Sequence, residues 1–185
     1  VGINSLITTS DGEKVENPRW YREEQKKLRV LQRRVSRRKK GGSNRRKAVN
    51  ALQRQHERIK NKRKDYLNKL AHRLIVENDR IALEDLRIRN MVKNHHLSKS
   101  ILDAGWNYLV HRLACKAAEA GKLVYLVDPA YTSKTCSACG GIFEGLTLAD
   151  RWVDCACGLS LDRDHNAALN ILGRGQRLWG ETWSA

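Results

Sequence analysis

Acid is short in this sequence relative to base. Only 20 Asp and Glu stand against 36 Lys and Arg, a formal charge of +16 with a pI near 10.0. That shortage excludes a charge-balanced surface and predicts a polyanionic partner. Long apolar runs are missing too: none approaches the roughly 20 residues a membrane helix needs, and no signal-peptide pattern is present. These absences exclude a membrane-spanning helix and predict a soluble, intracellular protein without membrane contact. Cysteine is sparse at five residues, and four of them fall in two close pairs. This argues against a disulfide framework and for metal in a reducing compartment. The chain also begins without Met, on a strand-like stretch, and is expected to have been cut from something longer. No internal repeat is visible, and low complexity is confined to basic stretches. What is present, 41% hydrophobic residues in 185, suffices for one core, or one core with a small metal-held module.

Residues 1 to 10 read as a strand pair, and Asn17 followed by Pro18 reads as an N-cap and a first helical residue. From Trp20, Leu28, Leu31 and Val35 recur on one helical face. Gly41 and Gly42 break that helix, Ser43 or Asn44 can cap a second, and Ala48, Leu52, Ile59, Tyr66, Leu70 and Leu74 continue a helical stripe. The two segments predict a helical hairpin over 18–78. Between Arg19 and Lys69 it carries 21 of the 36 basic residues, with only Glu23, Glu24, Glu57 and Asp65 available to pair. A solvated helix face is the plain alternative. The unpaired basic density around Arg33, Arg34, Arg37, Arg38, Lys39, Lys40, Arg45 and Arg46 instead points to phosphate contact. The stretch RIALEDL reads as an apolar strand ending on Glu84 and Asp85. A third helix is expected from Ser98, with Leu102, Trp106, Leu109, Leu113 and Ala117 on one side and Cys115 as a buried lone thiol. KLVYLVD reads as another strand. SLDRDHNAALNILGRG reads as a helix with Asp162 and Asp164 in its first turn, where carboxylates suit the helix dipole.

Two constellations carry chemistry. CSAC places Cys136 beside Cys139, and CAC places Cys155 beside Cys157. Two close pairs on two turns supply the four thiolates of a tetrahedral zinc site, and four cysteines leave no open position for catalysis. The zinc is therefore expected to be structural. Glu84 at a strand end and Asp164 at a helix start are each weak evidence, since such acids are usually solvated or capping. Together they match the hard oxygen ligands that nucleases use to hold magnesium. The order of strands and helices is that of a ribonuclease H-like mixed α/β sheet, whose first carboxylate belongs on the first strand.

The stretches Ala82 to Met91 (ALEDLRIRNM), KSILDAGW, LVDPAYTSKTCSACG and DRDHNAALNI strongly resemble the C-terminal half of TnpB, the RNA-guided nuclease family of transposons related to type V CRISPR effectors. The resemblance runs along nearly the whole chain. It implies a RuvC-type nuclease domain over 1–133 and 159–176, an inserted zinc ribbon over 134–158, and a tail over 177–185. It implies DNA and guide RNA as partners, and a cytoplasmic protein at a prokaryotic nucleoid. Carried over by motif, Glu84 is the second catalytic acid and Asp164, two residues before the Asn of DRDHN, is the third. Two departures stand out. The family's opening strand resembles VGIDLGLKSLITTSDGE, so this chain has Asn4 at or next to the expected Asp and lacks several residues of the strand and its turn. An amide offers one neutral oxygen and no charge, a loss worth several kcal/mol of transition-state stabilisation by analogy with other charge partners. The N-terminal half, which resembles the part that grips guide RNA, is absent from this chain.

The expected function is thus the nuclease half of a TnpB-like RNA-guided DNA endonuclease that hydrolyses phosphodiesters with magnesium. The alternatives are a nuclease-dead or truncated relative that only binds nucleic acid, and a zinc-ribbon DNA-binding factor without a guide.

Overall fold

Two amphipathic segments make the largest element of the computed structural model, which describes residues 1–147 and 149–181. Helices α1 (Trp20–Ser36) and α2 (Ser43–Glu77) fold back on one another as the expected hairpin. Leu28 of α1 and Ile59 and Leu67 of α2 are at most 3% exposed. Each such burial stabilises by about 2 kcal/mol. Midway along the seam one pair is polar: Gln55 is buried and donates to Glu24 Oε2 at 3.0 Å. At the base Trp20 meets the Tyr66 ring edge-on, centroids 5.5 Å apart.

The start of α1 differs from the sequence reading. Asn17 and Pro18 lie outside it, and Arg19 precedes it with φ 50° and no side-chain cap of its own. The orphan N–H of Tyr21 is instead taken by Asp103 Oδ2 at 2.8 Å, from 82 residues away. The buried Asp103 also accepts from Arg63 at 2.6 Å. Asn17 is diverted because its side chain donates to the Ile3 carbonyl and accepts from the Arg19 N–H. The other end of α2 has no basic residue in its last turn. Lys122 supplies the cation from elsewhere, donating to the Ile75 carbonyl at 2.6 Å.

Strand β3 (Arg80–Glu84) pairs in parallel with β4 (Leu123–Val127), from Arg80 opposite Leu123 to Glu84 opposite Val127. A parallel pair requires a crossover, here α3 (Ile88–Met91), α4 (Ser98–Ala104) and α5 (Trp106–Glu119). The expected third helix is therefore broken in two at Gly105. That residue has φ +70°, and a Cβ would lie 3.0 Å from both Arg63 Cδ and Leu67 Cδ1. The break separates Leu102, 59% exposed, from the buried Trp106, Leu109, Leu113 and Ala117. Cys115 is half-buried rather than buried, its sulfur 3.7 Å from His111 Nε2.

Strands β1 (Ser5–Thr8) and β2 (Lys14–Glu16), antiparallel, precede the hairpin, with a register shift between Ser5 and Ile7. Strands β5 (Trp152–Asp154) and β6 (Ser160–Asp162) form a second antiparallel pair and lead into α6 (Arg163–Glu181), which runs on past residue 176. Among the described residues the strands form three two-stranded sheets, not the one mixed sheet expected. Residues 1 to 4 lie outside β1, and the Gly2 N–H donates to the Leu6 carbonyl. A cavity of about 180 Å³, with Ile7, Ile81, Leu83 and Ile171 in its wall, lies between the two sheets. Helix α6 packs across β3 and β4. Its Gly175 permits this approach, because a Cβ there would lie 2.5 Å from Ala82 Cβ.

Candidate acidic pair and four-cysteine centre

Glu84 is carried at the end of β3 and Asp164 in the first turn of α6. Thr132, 2% exposed, donates its hydroxyl to Glu84 Oε1 at 2.9 Å. The backbone nitrogen of Val1 lies 3.6 Å from Glu84 Oε2. The next residue approaches the second acid: a Cβ on Gly2 would lie 3.8 Å from Asp164 Oδ2. Consecutive residues of the opening segment therefore meet one carboxylate each. Among the described residues the Asp164 carboxylate has no hydrogen-bond or ion-pair partner.

Its neighbour Asp162 is fully engaged. Asp162 Oδ1 accepts from the Asp164 and His165 N–H groups at 3.0 and 3.1 Å, an N-cap of α6, and Oδ2 takes Lys14 Nζ at 2.6 Å. Burial raises its pKa, but the Lys14 hydrogen bond and the backbone donors outweigh it and hold the carboxyl below its ordinary value. Between the two acids of DRDHN's approach, one caps and the other is free. Asn4 is not brought to them: it is exposed and lines a separate cavity with Asn17 and Asp103.

A polar ladder on α6 carries no chemistry in the sequence reading. The fully buried Asn166 accepts from Ser137 N–H at 2.9 Å and donates to the Thr135 carbonyl at 2.8 Å. Asn170 donates to the Thr132 and Thr135 carbonyls, and Arg174 to those of Asp128 and Ala130. These three residues recur every four positions, a helical stripe of polar side chains inside an apolar pattern. That spacing was the available signal. The ladder fixes residues 128–137, and with them Thr132 against Glu84.

The four cysteines do come together. Sγ atoms of Cys136, Cys139, Cys155 and Cys157 all lie within 4.8 Å of one another. The Cys136–Cys157 and Cys139–Cys155 separations are 3.7 and 3.6 Å. A tetrahedron with zinc–sulfur bonds of about 2.3 Å has edges of about 3.8 Å, so the donor set fits zinc. The electrostatics agree with that fit. Burial disfavours the Cys136 thiolate, but backbone N–H groups of Cys139 and Ala138 and the nearby thiols bring it down to about 7. At Cys155 the Cys157 N–H favours the thiolate, yet the sulfurs of Cys157, Cys136 and Cys139 push the thiol up to about 12. Neighbouring sulfurs thus oppose the Cys155 thiolate, a repulsion that a bound dication would relieve.

At the hairpin tip Arg33, Arg34, Arg37, Arg38, Lys39, Lys40 and Arg46 are exposed and, among the described residues, meet no carboxylate. Arg45 is different. It is half-buried and donates to the Val35 and Arg38 carbonyls, so it closes the end of α1.

A family model described as a probable transposase, OrfB of the IS605 type, matches residues 1–95, and one described as the Cas12f1-like TNB domain matches residues 106–171. The chain is 43% identical to a presumed RNA-guided DNA endonuclease of Streptomyces pristinaespiralis, over 94% of this chain and 44% of that protein. It is 36% identical to InsQ of Escherichia coli, also a presumed RNA-guided DNA endonuclease, over 94% of this chain and 47% of the relative. The CRISPR-associated endodeoxyribonuclease Cas12f1 of Sulfoacidibacillus thermotolerans is 32% identical over 71% of this chain and 32% of its own length. A cryo-EM structure of a Cas12f1–sgRNA–target DNA complex superposes with a TM-score of 0.64 at 19% identity, covering 92% of this chain and 47% of that one. The chain spans less than half the length of these relatives.

Proposed function

This chain belongs to the OrfB family of probable transposases, and on that premise we propose that it is the nuclease module of a TnpB-like RNA-guided DNA endonuclease. The proposed architecture is RuvC-type and ribonuclease H-like, with the four cysteines forming a structural zinc ribbon. Glu84 and Asp164 are its acid ligands. The observation that carries this reading is the free Asp164 carboxylate, set against the same opening segment that meets Glu84.

Magnesium, when bound, supplies Lewis-acid activation of the scissile phosphate and of an attacking water. Two carboxylates suit one such ion, which is commonly bound through one or two carboxylates plus substrate phosphate oxygens. The chain's own part is to present those oxygens in fixed places. Thr132 orients Glu84 by donating to one oxygen and leaving the other turned towards the opening segment. Asp162 holds the first turn of α6, which positions Asp164 without competing for its charge. The basic hairpin tip grips the nucleic-acid backbone, and sequence choice is left to base pairing with a guide RNA.

A second reading, guided binding without cutting, is favoured by one observation. Among the described residues no third acid or histidine joins Glu84 and Asp164 in a metal-holding group, whereas a two-metal clamp asks for more. A magnesium-dependent cleavage assay on single-stranded DNA, with guide RNA supplied, separates the two. The nuclease reading expects cutting that falls at least ~100-fold in both Glu84→Ala and Asp164→Ala. Bound nucleic acid without any cutting supports the second reading, and cutting that survives Glu84→Ala places the chemistry elsewhere.

A further inference from the structure

A cavity of about 300 Å³ opens at the base of the helical hairpin, between residues 3–4, the entry to α1 and the start of α4. Its wall carries Arg19, Arg22 and Lys99, the amides of Asn4 and Gln25, and Tyr21. Among the described residues none of the three cations meets a carboxylate. The one acid in the wall, Asp103, is 6% exposed and already engaged by Arg63 and the Tyr21 N–H. The field inside is therefore positive. The Asn4 and Gln25 amides have no partner among the described residues, so both donors and acceptors are on offer. Leading away from this cavity, Arg22, Lys26, Arg29 and Arg33 follow at steps of four, three and four along α1, all exposed and, among the described residues, without ion pairs. Such steps share one helix face. The stripe is about 16 Å long and ends at the arginines of the hairpin tip.

We infer that this cavity is a single-nucleotide subsite for an unpaired strand, with one phosphodiester held by Arg19, Arg22 and Lys99 and the rest of the strand lying along the α1 stripe. The volume sits at the small end of ligand pockets, about 300 Å³ and upward, which admits one nucleotide and excludes a duplex. Tyr21 provides an aromatic ring and the two amides provide the mixed donors and acceptors that suit a base. Asn4 then belongs to the strand-binding surface and is not a displaced metal ligand. This inference rests on the nucleic-acid reading of the hairpin.

The test is fluorescence anisotropy of the full chain with labelled dT and U 15-mers and with a DNA duplex, across a salt series. Arg22→Ala combined with Lys99→Ala is expected to weaken single-strand binding about tenfold and to lower the salt slope by about 0.7, the loss of one neutralised phosphate. Duplex binding should change far less. The preferred 15-mer, DNA or RNA, identifies the source of the strand. Asn4→Asp is expected to weaken single-strand binding several-fold by placing a negative charge in the cavity. Metal-dependent cleavage gained in Asn4→Asp, with strand binding unweakened, would instead return Asn4 to the metal site and overturn the subsite. Zinc content and circular dichroism show that each variant is folded. Arg37→Ala with Arg38→Ala at the tip provides the separating control. Loss of binding there with none in the cavity variant overturns the subsite alone, while no loss in either overturns the hairpin reading as well.

Discussion

The cysteine cluster draws its four sulfurs from two short loops, Cys136 to Cys139 and Cys155 to Cys157, while Glu84 and Asp164 come from a strand end and a helix start far apart in the chain. In the cluster, chain connectivity does most of the positioning. In the acidic pair, every ångström depends on how α6 sits on β3, how residues 128–137 hold Thr132, and how the opening segment runs. The four sulfurs lie within 4.8 Å of one another, whereas the strand pair that carries Glu84 stands as a separate two-stranded sheet. A locally encoded ligand set is robust to change elsewhere. One assembled from several elements is not.

The largest effect should come from the metal. The purified protein is expected to carry one zinc, and Cys157→Ser to lower its zinc affinity by more than the ~10–100-fold typical of losing a supporting partner. Metal analysis and chelator titration measure this. Chelation should unfold the region around β5 and β6 while α1 and α2 keep their helical signal, because Leu28 and its neighbours are buried without help from the cysteines. Less than about half an equivalent of zinc in wild type would break the comparison at its stronger side.

Gly175→Ala acts on the weaker side. Its new methyl would meet Ala82 Cβ at 2.5 Å and push α6 off β3. Overpacking of this kind costs about 1–3 kcal/mol, read from denaturant midpoints, and zinc affinity should be unchanged. Joint loss of stability and zinc would mean that the two regions are one cooperative unit. Asp162→Ala should have the smallest effect, about 1 kcal/mol for a lost helix cap, since its ion pair with the 45%-exposed Lys14 adds little. A larger loss would show that the α6 cap positions more than its own helix.

Much of this was legible in the residues. The helical hairpin follows from apolar spacing interrupted by KKGGSN, β3 and β4 from short apolar runs, and the cysteine cluster from two close pairs. Periodicity and spacing report such features because the interacting residues are near in sequence. Asp103 was not legible as the cap of α1, because its partner lies on another element and any exposed-looking acid in a helix reads the same. Leu102 continued the helical stripe on paper, but the bend at Gly105 turned it outward. The Asn166, Asn170 and Arg174 ladder was visible as a stripe without any sign of what it held.

By itself the sequence determined the helical hairpin, β3 and β4, the excess of positive charge and the identity of the four sulfur donors, since these depend on local propensity, composition and short loops. Only the tertiary structure decided which acid of the DRDHN stretch is free, that Thr132 holds Glu84, and that Asn4 faces a basic cavity away from the acidic pair. Those outcomes depend on packing between segments distant in the chain. A fold sets such distances through its whole core, and no local pattern records them.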